Sequence, residues 1–262
     1  MAAGVAPRRD RPGGLAGPLA GGAYVFRGIR TFLAMPQLRL IGMLPVLLAG
    51  ALVLALLAVL VASLDQLAAA LTPFAASWSP DVRMAVRASV GLTILLAYLL
   101  VAMLLFAAIT NIIGQPFYER ISDRVEARLG SPPPGVDAPW WRTAPRATVE
   151  SLVLLALVLL AGAPLFLLGF IPVVGQTAVP VAGALVSGFF LALELLAIPL
   201  QRRGMHLRER LGFVWRHRSV TVGFGVTAFL LFLVPLMSLI AMPGAIVGGT
   251  LLVRRLTGLP DR

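Results

Sequence analysis

The sequence predicts an all-α integral membrane protein with two long transmembrane helices and two proline-broken helical hairpins. Three observations predict it. Of 262 residues, 59% are hydrophobic and only 13% charged, about half the charged share of a soluble domain. Several uncharged runs reach the ~18 residues needed to span a bilayer. The arginines, finally, are gathered into a few segments.

Residues 1–22 are rich in Gly, Pro and Ala and carry Arg8, Arg9 and Arg11. They read as a solvated tail without a cleavable signal. Residues 23–39 set Tyr24, Phe26, Ile29, Phe32 and Leu33 against Arg27, Arg30 and Arg39. That pattern predicts an interfacial amphipathic helix ending near Pro36. The first span follows at 40–62, with Pro45 in its early turns, where a missing N–H costs least. An outer loop at 63–87 holds Asp65, Asp81, Arg83, Arg87 and an interface anchor, Trp78. The second span, 88–113, extends as a charged helix to residue 130. There Phe117, Ile121, Val125 and Leu129 form an apolar stripe beside Arg120, Arg124 and Arg128.

Past a Pro-rich loop at 131–147, two apolar blocks cover 148–200 and 219–253, joined by a basic connector at 201–218. A C-terminal tail covers 257–262. Both blocks carry a proline pair, Pro172 with Pro180 and Pro235 with Pro243, at one offset of 63 residues. This internal repeat predicts two hairpins with proline-broken tips. The second block offers only 16 residues before Pro235 and ten after Pro243, short of a ~20-residue span. Re-entrant hairpins that do not cross are therefore expected, with six conventional transmembrane helices as the alternative.

Topology follows from arginine placement. The chain has 22 Arg and no Lys. Six lie in 1–39, five in 113–147, six in 201–219 and three in 254–262. By the positive-inside rule these four segments share the cytoplasmic side, with both termini inside. A net charge of +11 is thus a membrane signal, and no nucleic-acid partner is expected. There is no Cys, which excludes thiolate chemistry. His206 and His217, eleven residues apart in the basic connector, are expected to be solvated loop residues and to make no metal site. Without phosphate loop or nucleophile motif, neither an enzyme nor a cofactor is expected.

Three stretches carry a resemblance: NIIGQPFYERISDRVEARL, IPVVGQTAVPV and VPLMSLIAMPGAIVGGT. They resemble the bacterial CysZ-type sulfate permeases of the wider etoposide-induced-protein domain family, over residues 23–256. Asn111, Pro116, Phe117, Pro172, Gly175, Gln176, Thr177, Pro180, Pro235 and Pro243 fall on that pattern. The resemblance implies a multi-pass protein of the bacterial inner membrane, half-penetrating hairpins and a homo-oligomer. It also implies sulfate entry for sulfur assimilation. Its basic segment maps onto Gln37, Leu38 and Arg39; Gln37 stands where the family has Gly, Leu40 where a second Arg is common, and Ala197 where Asp is common.

Arg39 is the leading anion-binding candidate. A helix start offers open N–H groups and a positive dipole end, and a guanidinium grips oxyanions in pairs of bonds. Snorkelling to headgroups is the competing role. Arg27 and Arg30 are further candidates. Glu194, inside an apolar arm, is expected to pair with Arg202 or Arg203. Gln176 and Thr177 suit either a permeating anion or turn chemistry, and Asn111 a bond between helices. Gly244 and Gly248 form a small-xxx-small seam for close helix packing.

Overall fold

The computed structural model describes residues 16–130, 132–133 and 140–261. It is all-helical among these residues: α1 (Ala16–Ala34), α2 (Pro36–Leu71), α3 (Pro80–Leu129), α4 (Trp140–Leu168), α5 (Val174–Leu195), α6 (Ala197–Gln201), α7 (Leu207–Arg216), α8 (Arg218–Phe232) and α9 (Pro235–Leu256), plus a 3-10 turn at Pro73–Ala75. Residues 40–117 form one compact unit and the remainder another.

The unit of residues 40–117 is an antiparallel helical pair. The Tyr98 hydroxyl donates to the Val53 carbonyl across it, and the space beside Gly91 is taken by Leu64. Buried Thr72 donates to the Ala68 carbonyl at 2.7 Å, closing α2 before the turn. Pro36–Leu71 and Pro80–Phe106 are long and apolar enough to cross a membrane. Their large apolar side chains, such as Leu47, Leu54, Leu100 and Met103, are exposed. In water that would be untenable; in lipid it is the solvent-facing surface.

The other unit is built on α1, which packs on both α8 and α9, while α5 packs on α8. This corrects one expectation. Helix α1 begins at Ala16, so the second part of the supposed tail is ordered helix. One face of it is packed, with Val25 and Phe32 almost wholly buried, while Leu19, Phe26 and Leu33 stay exposed. The reason is its small residues. A Cβ placed on Gly28 would stand 2.1 Å from the Gly244 carbonyl oxygen and 2.3 Å from the Gly248 nitrogen. The 244/248 seam thus receives α1 backbone to backbone, the packing anticipated for it.

The two apolar blocks keep their repeat, but the proline pairs act differently from the expectation of a paired-proline turn. The first proline of each pair marks the break: Pro172 lies in the turn before α5, and Pro235 opens α9. The second, Pro180 or Pro243, lies inside the following helix. Helix α9 therefore has 22 residues instead of a ten-residue arm. By length and apolarity Pro145–Leu168 and Val174–Leu195 also suffice to cross. Helix α8 has 15 residues, about 22 Å at 1.5 Å each, short of a ~30 Å hydrocarbon core.

The first tip is tightly wound. Val173 holds φ 70° and ψ −54°, and the Val174 N–H donates to the Pro172 carbonyl at 2.9 Å. That is a γ-turn of positive φ, costly for a β-branched residue. A Cβ on Gly175 would stand 2.2 Å from the Gly169 carbonyl oxygen, so glycine alone fits there.

Candidate functional site

The arginine-rich segments meet within the unit built on α1. Gln37 accepts from Arg124 at 2.8 Å, joining the first basic segment to the second. Arg202 pairs with Asp123, and Arg203 donates to Glu126 at 2.8 Å, joining the second to the third. Arg254 of the last segment also pairs with Glu126. Arg27 pairs with Asp261 at 2.9 Å, joining the last to the first. Arg210 donates to Glu150 at 2.5 Å. All four segments that topology required on one side are therefore tied by polar bonds.

At the centre sits Glu126, 1% exposed, between two guanidiniums. Arg254 is fully buried, yet its donors are directed: to Glu126, to the carbonyls of Leu129 and Gly130 at 3.1 and 2.9 Å, and to that of Pro260 at 2.7 Å. Nearby, Ser122 and Thr250 share a 3.0 Å bond. Burying such charges is tolerable only with this degree of satisfaction. The sequence reading missed the triad. Its signal was faint but present: Tyr118, Ile121, Ser122, Val125 and Glu126 are the buried positions of α3 here, the spacing of a core-facing helix stripe. An acid on that stripe requires a partner.

The anion candidates separate accordingly. Arg27 is engaged, its second nitrogen also bonding the Asp261 carbonyl at 3.0 Å while the group lies over the Tyr24 ring. Arg30 and Arg39 are exposed. Leu38 is buried at 1% exposure. Arg39 sits in the first turn of α2, but the expected open N–H groups are mostly used. Pro36 has none, and those of Leu38 and Arg39 donate to the Met35 carbonyl at 3.0 and 3.2 Å. Any anion there depends on the side chain more than on the helix end.

Other candidates are placed as follows. Glu194 is exposed near the end of α5, and the expected pairing with Arg202 or Arg203 does not form, because Asp123 and Glu126 take those arginines. The Thr177 hydroxyl donates to the Val173 carbonyl at 2.6 Å, which is turn chemistry. Pro172, Gln176 and Pro180 are exposed, and Gly175 is half-buried. Pro243 lies within α9. The side chains of Asn111 and Pro235 lie outside the described residues.

The C-terminal tail closes on α1. The Gly258 N–H donates to the Arg255 carbonyl at 3.1 Å and that of Leu259 to Arg254 at 2.8 Å. With Gly258 at φ 78°, this is a Schellman turn ending α9. It returns Asp261 to Tyr24, whose hydroxyl donates to its carboxylate at 2.6 Å. Burial would raise the Asp261 pKa, but bonds from Tyr24 and Arg27 outweigh it and hold it below the usual carboxylate value. Burial, then Asp261, holds Tyr24 above the usual phenol value. A depressed folded pKa means the bond contributes fully above the ordinary Asp value of about 3.9. That contribution is lost as pH falls from there through the folded value.

Fold and site together define a multi-pass, all-α membrane protein whose basic segments are tied to one another by hydrogen bonds and ion pairs, those of Glu126 being buried. The chain belongs to the family described as "Sulfate transporter CysZ/Etoposide-induced protein 2.4", whose model matches residues 24–243. A relative named "Sulfate transporter CysZ", from Pectobacterium atrosepticum, is 32% identical over 158 residues, 59% of this chain and 57% of that protein. A protein of the same name from Vibrio cholerae is 27% identical over 147 residues, covering 55% and 59%. The chain thus spans rather less than three-fifths of the length of these relatives.

Proposed function

We propose that the chain is a permease for sulfate or a similar oxyanion, in the bacterial inner membrane with both termini cytoplasmic, supplying sulfate for sulfur assimilation. The names of its relatives support sulfate as the substrate class. The observation that carries the reading is that Arg39 and Arg30 stay exposed, with no side-chain partner among the described residues, while arginines of every basic segment around them are bound. An uncommitted guanidinium at the mouth concentrates anions and grips one at a time. A homo-oligomer suits α4, whose most apolar stretch has none of its residues buried within the chain. Arg39→Ala should lower sulfate flux roughly tenfold, the lower end of a charged hydrogen bond's worth, without loss of membrane insertion. Unchanged flux would remove Arg39 from the mechanism.

The second hairpin is proposed as re-entrant, supported by the shortness of α8. Single cysteines placed at 235–243 should resist an impermeant thiol reagent added from outside. Labelling from outside would mean a full crossing.

A further inference from the structure

We propose that Tyr24, Arg27 and Arg255 form an oxyanion site that the chain's own Asp261 carboxylate occupies as an internal competitor. The donor set comes first. One carboxylate oxygen of Asp261 accepts from the Tyr24 hydroxyl at 2.6 Å and from Arg27 at 2.9 Å. Arg255 stands behind, donating to the Tyr24 oxygen at 3.3 Å. A guanidinium and a phenol on one oxygen, with a second guanidinium bonded to that phenol, suit a sulfate or phosphate group. The side chains of Arg27 and Asp261 keep 34% and 17% of their surface open, so solvent ions reach the site. The Glu126 cluster, by contrast, is closed at 1% and is structural.

The second observation concerns delivery. The Schellman turn at Gly258 aims the tail at this site, and Arg254 fixes the Pro260 carbonyl one residue before the carboxylate. Asp261 is thus tethered at high effective concentration, and an external oxyanion must displace it. A free dianion has the charge to do so when abundant. A phosphate of an anionic lipid headgroup offers the same chemistry, and the site recognises either.

Calorimetric titration of the full chain in phosphatidylcholine nanodiscs with sodium sulfate, at fixed ionic strength, tests this. Asp261→Asn should bind sulfate at least tenfold more tightly than the unsubstituted chain. Adding Arg27→Gln should abolish the gain. If sulfate binding is unmoved but Asp261→Asn gains phosphatidylglycerol in nanodiscs containing it, read by native mass spectrometry, the occupant is the headgroup. Neither gain, or a gain that survives Arg27→Gln, overturns the proposal. The proposal rests on the permease reading only for its physiological ligand. Flux without a binding gain sinks the competitor alone, and a binding gain without flux sinks the permease alone.

Discussion

Gly28→Leu is expected to abolish the folded form of the unit built on α1. The Cβ alone would lie 2.1 Å from one backbone oxygen and 2.3 Å from a backbone nitrogen of α9. No real Cβ contact is that short, and neither neighbour is a side chain that can turn away. Helix α1 would have to separate from α9, opening the burial of Val25, Phe32, Ala245 and Val247. Overpacking a side-chain core, where rotamers can give, costs about 1–3 kcal/mol, occasionally more; a seam of backbone atoms that cannot give lies beyond that range. Size-exclusion chromatography in mild detergent should show aggregated or absent protein. Gly50→Leu, where nothing lies within 4 Å of a Cβ, should remain monodisperse. A monodisperse Gly28→Leu chain with the melting temperature of the parent would show that the seam is not packed as described.

The second large effect is at Glu126. Removing its charge leaves Arg254 with no exposure and no counter-ion, and Arg203 with little. Breaking a buried pair in this way costs about 3–5 kcal/mol, against a total stability of about 5–15 kcal/mol. Glu126→Gln should therefore lower the detergent melting temperature sharply while membrane insertion persists. The paired change Glu126→Leu with Arg254→Met should recover part of the loss, because no buried charge is left facing an apolar neighbour across that bond. A Glu126→Gln chain as stable as the parent would mean that water reaches the triad.

These two sites also mark what the sequence does and does not reveal. The cores of α2 and α3 are legible because an uncharged run of spanning length has few alternatives in water. The gathering of four basic segments is legible too, from arginine placement alone. The partners that tie them are not, since Glu126 lies 77 residues from Arg203 and 128 from Arg254. Nothing local couples positions that far apart. Residues 16–22 misled for another reason. Gly, Ala and Pro signal disorder in an isolated segment, yet small residues are what let a helix approach a neighbour's backbone, as at Gly21 against the Val220 carbonyl. Pro243 misled likewise: a proline expected at a tip lies inside α9, a break that neighbouring helices make tolerable.

For the anion site, Arg39 was legible as a helix-start arginine, but the use of its neighbouring N–H groups by the Met35 carbonyl was not. The commitment of Arg27 to Asp261 spans 234 residues and likewise leaves no trace in local sequence.

The central claim is that this chain passes sulfate across a bilayer. Radiolabelled sulfate uptake into phospholipid vesicles containing only the purified chain measures it directly. The account predicts uptake above that of empty vesicles, driven by the sulfate gradient and reduced by Arg39→Ala. Uptake equal to that of empty vesicles, from well-folded and correctly inserted protein, would contradict it and leave a membrane scaffold of the same fold.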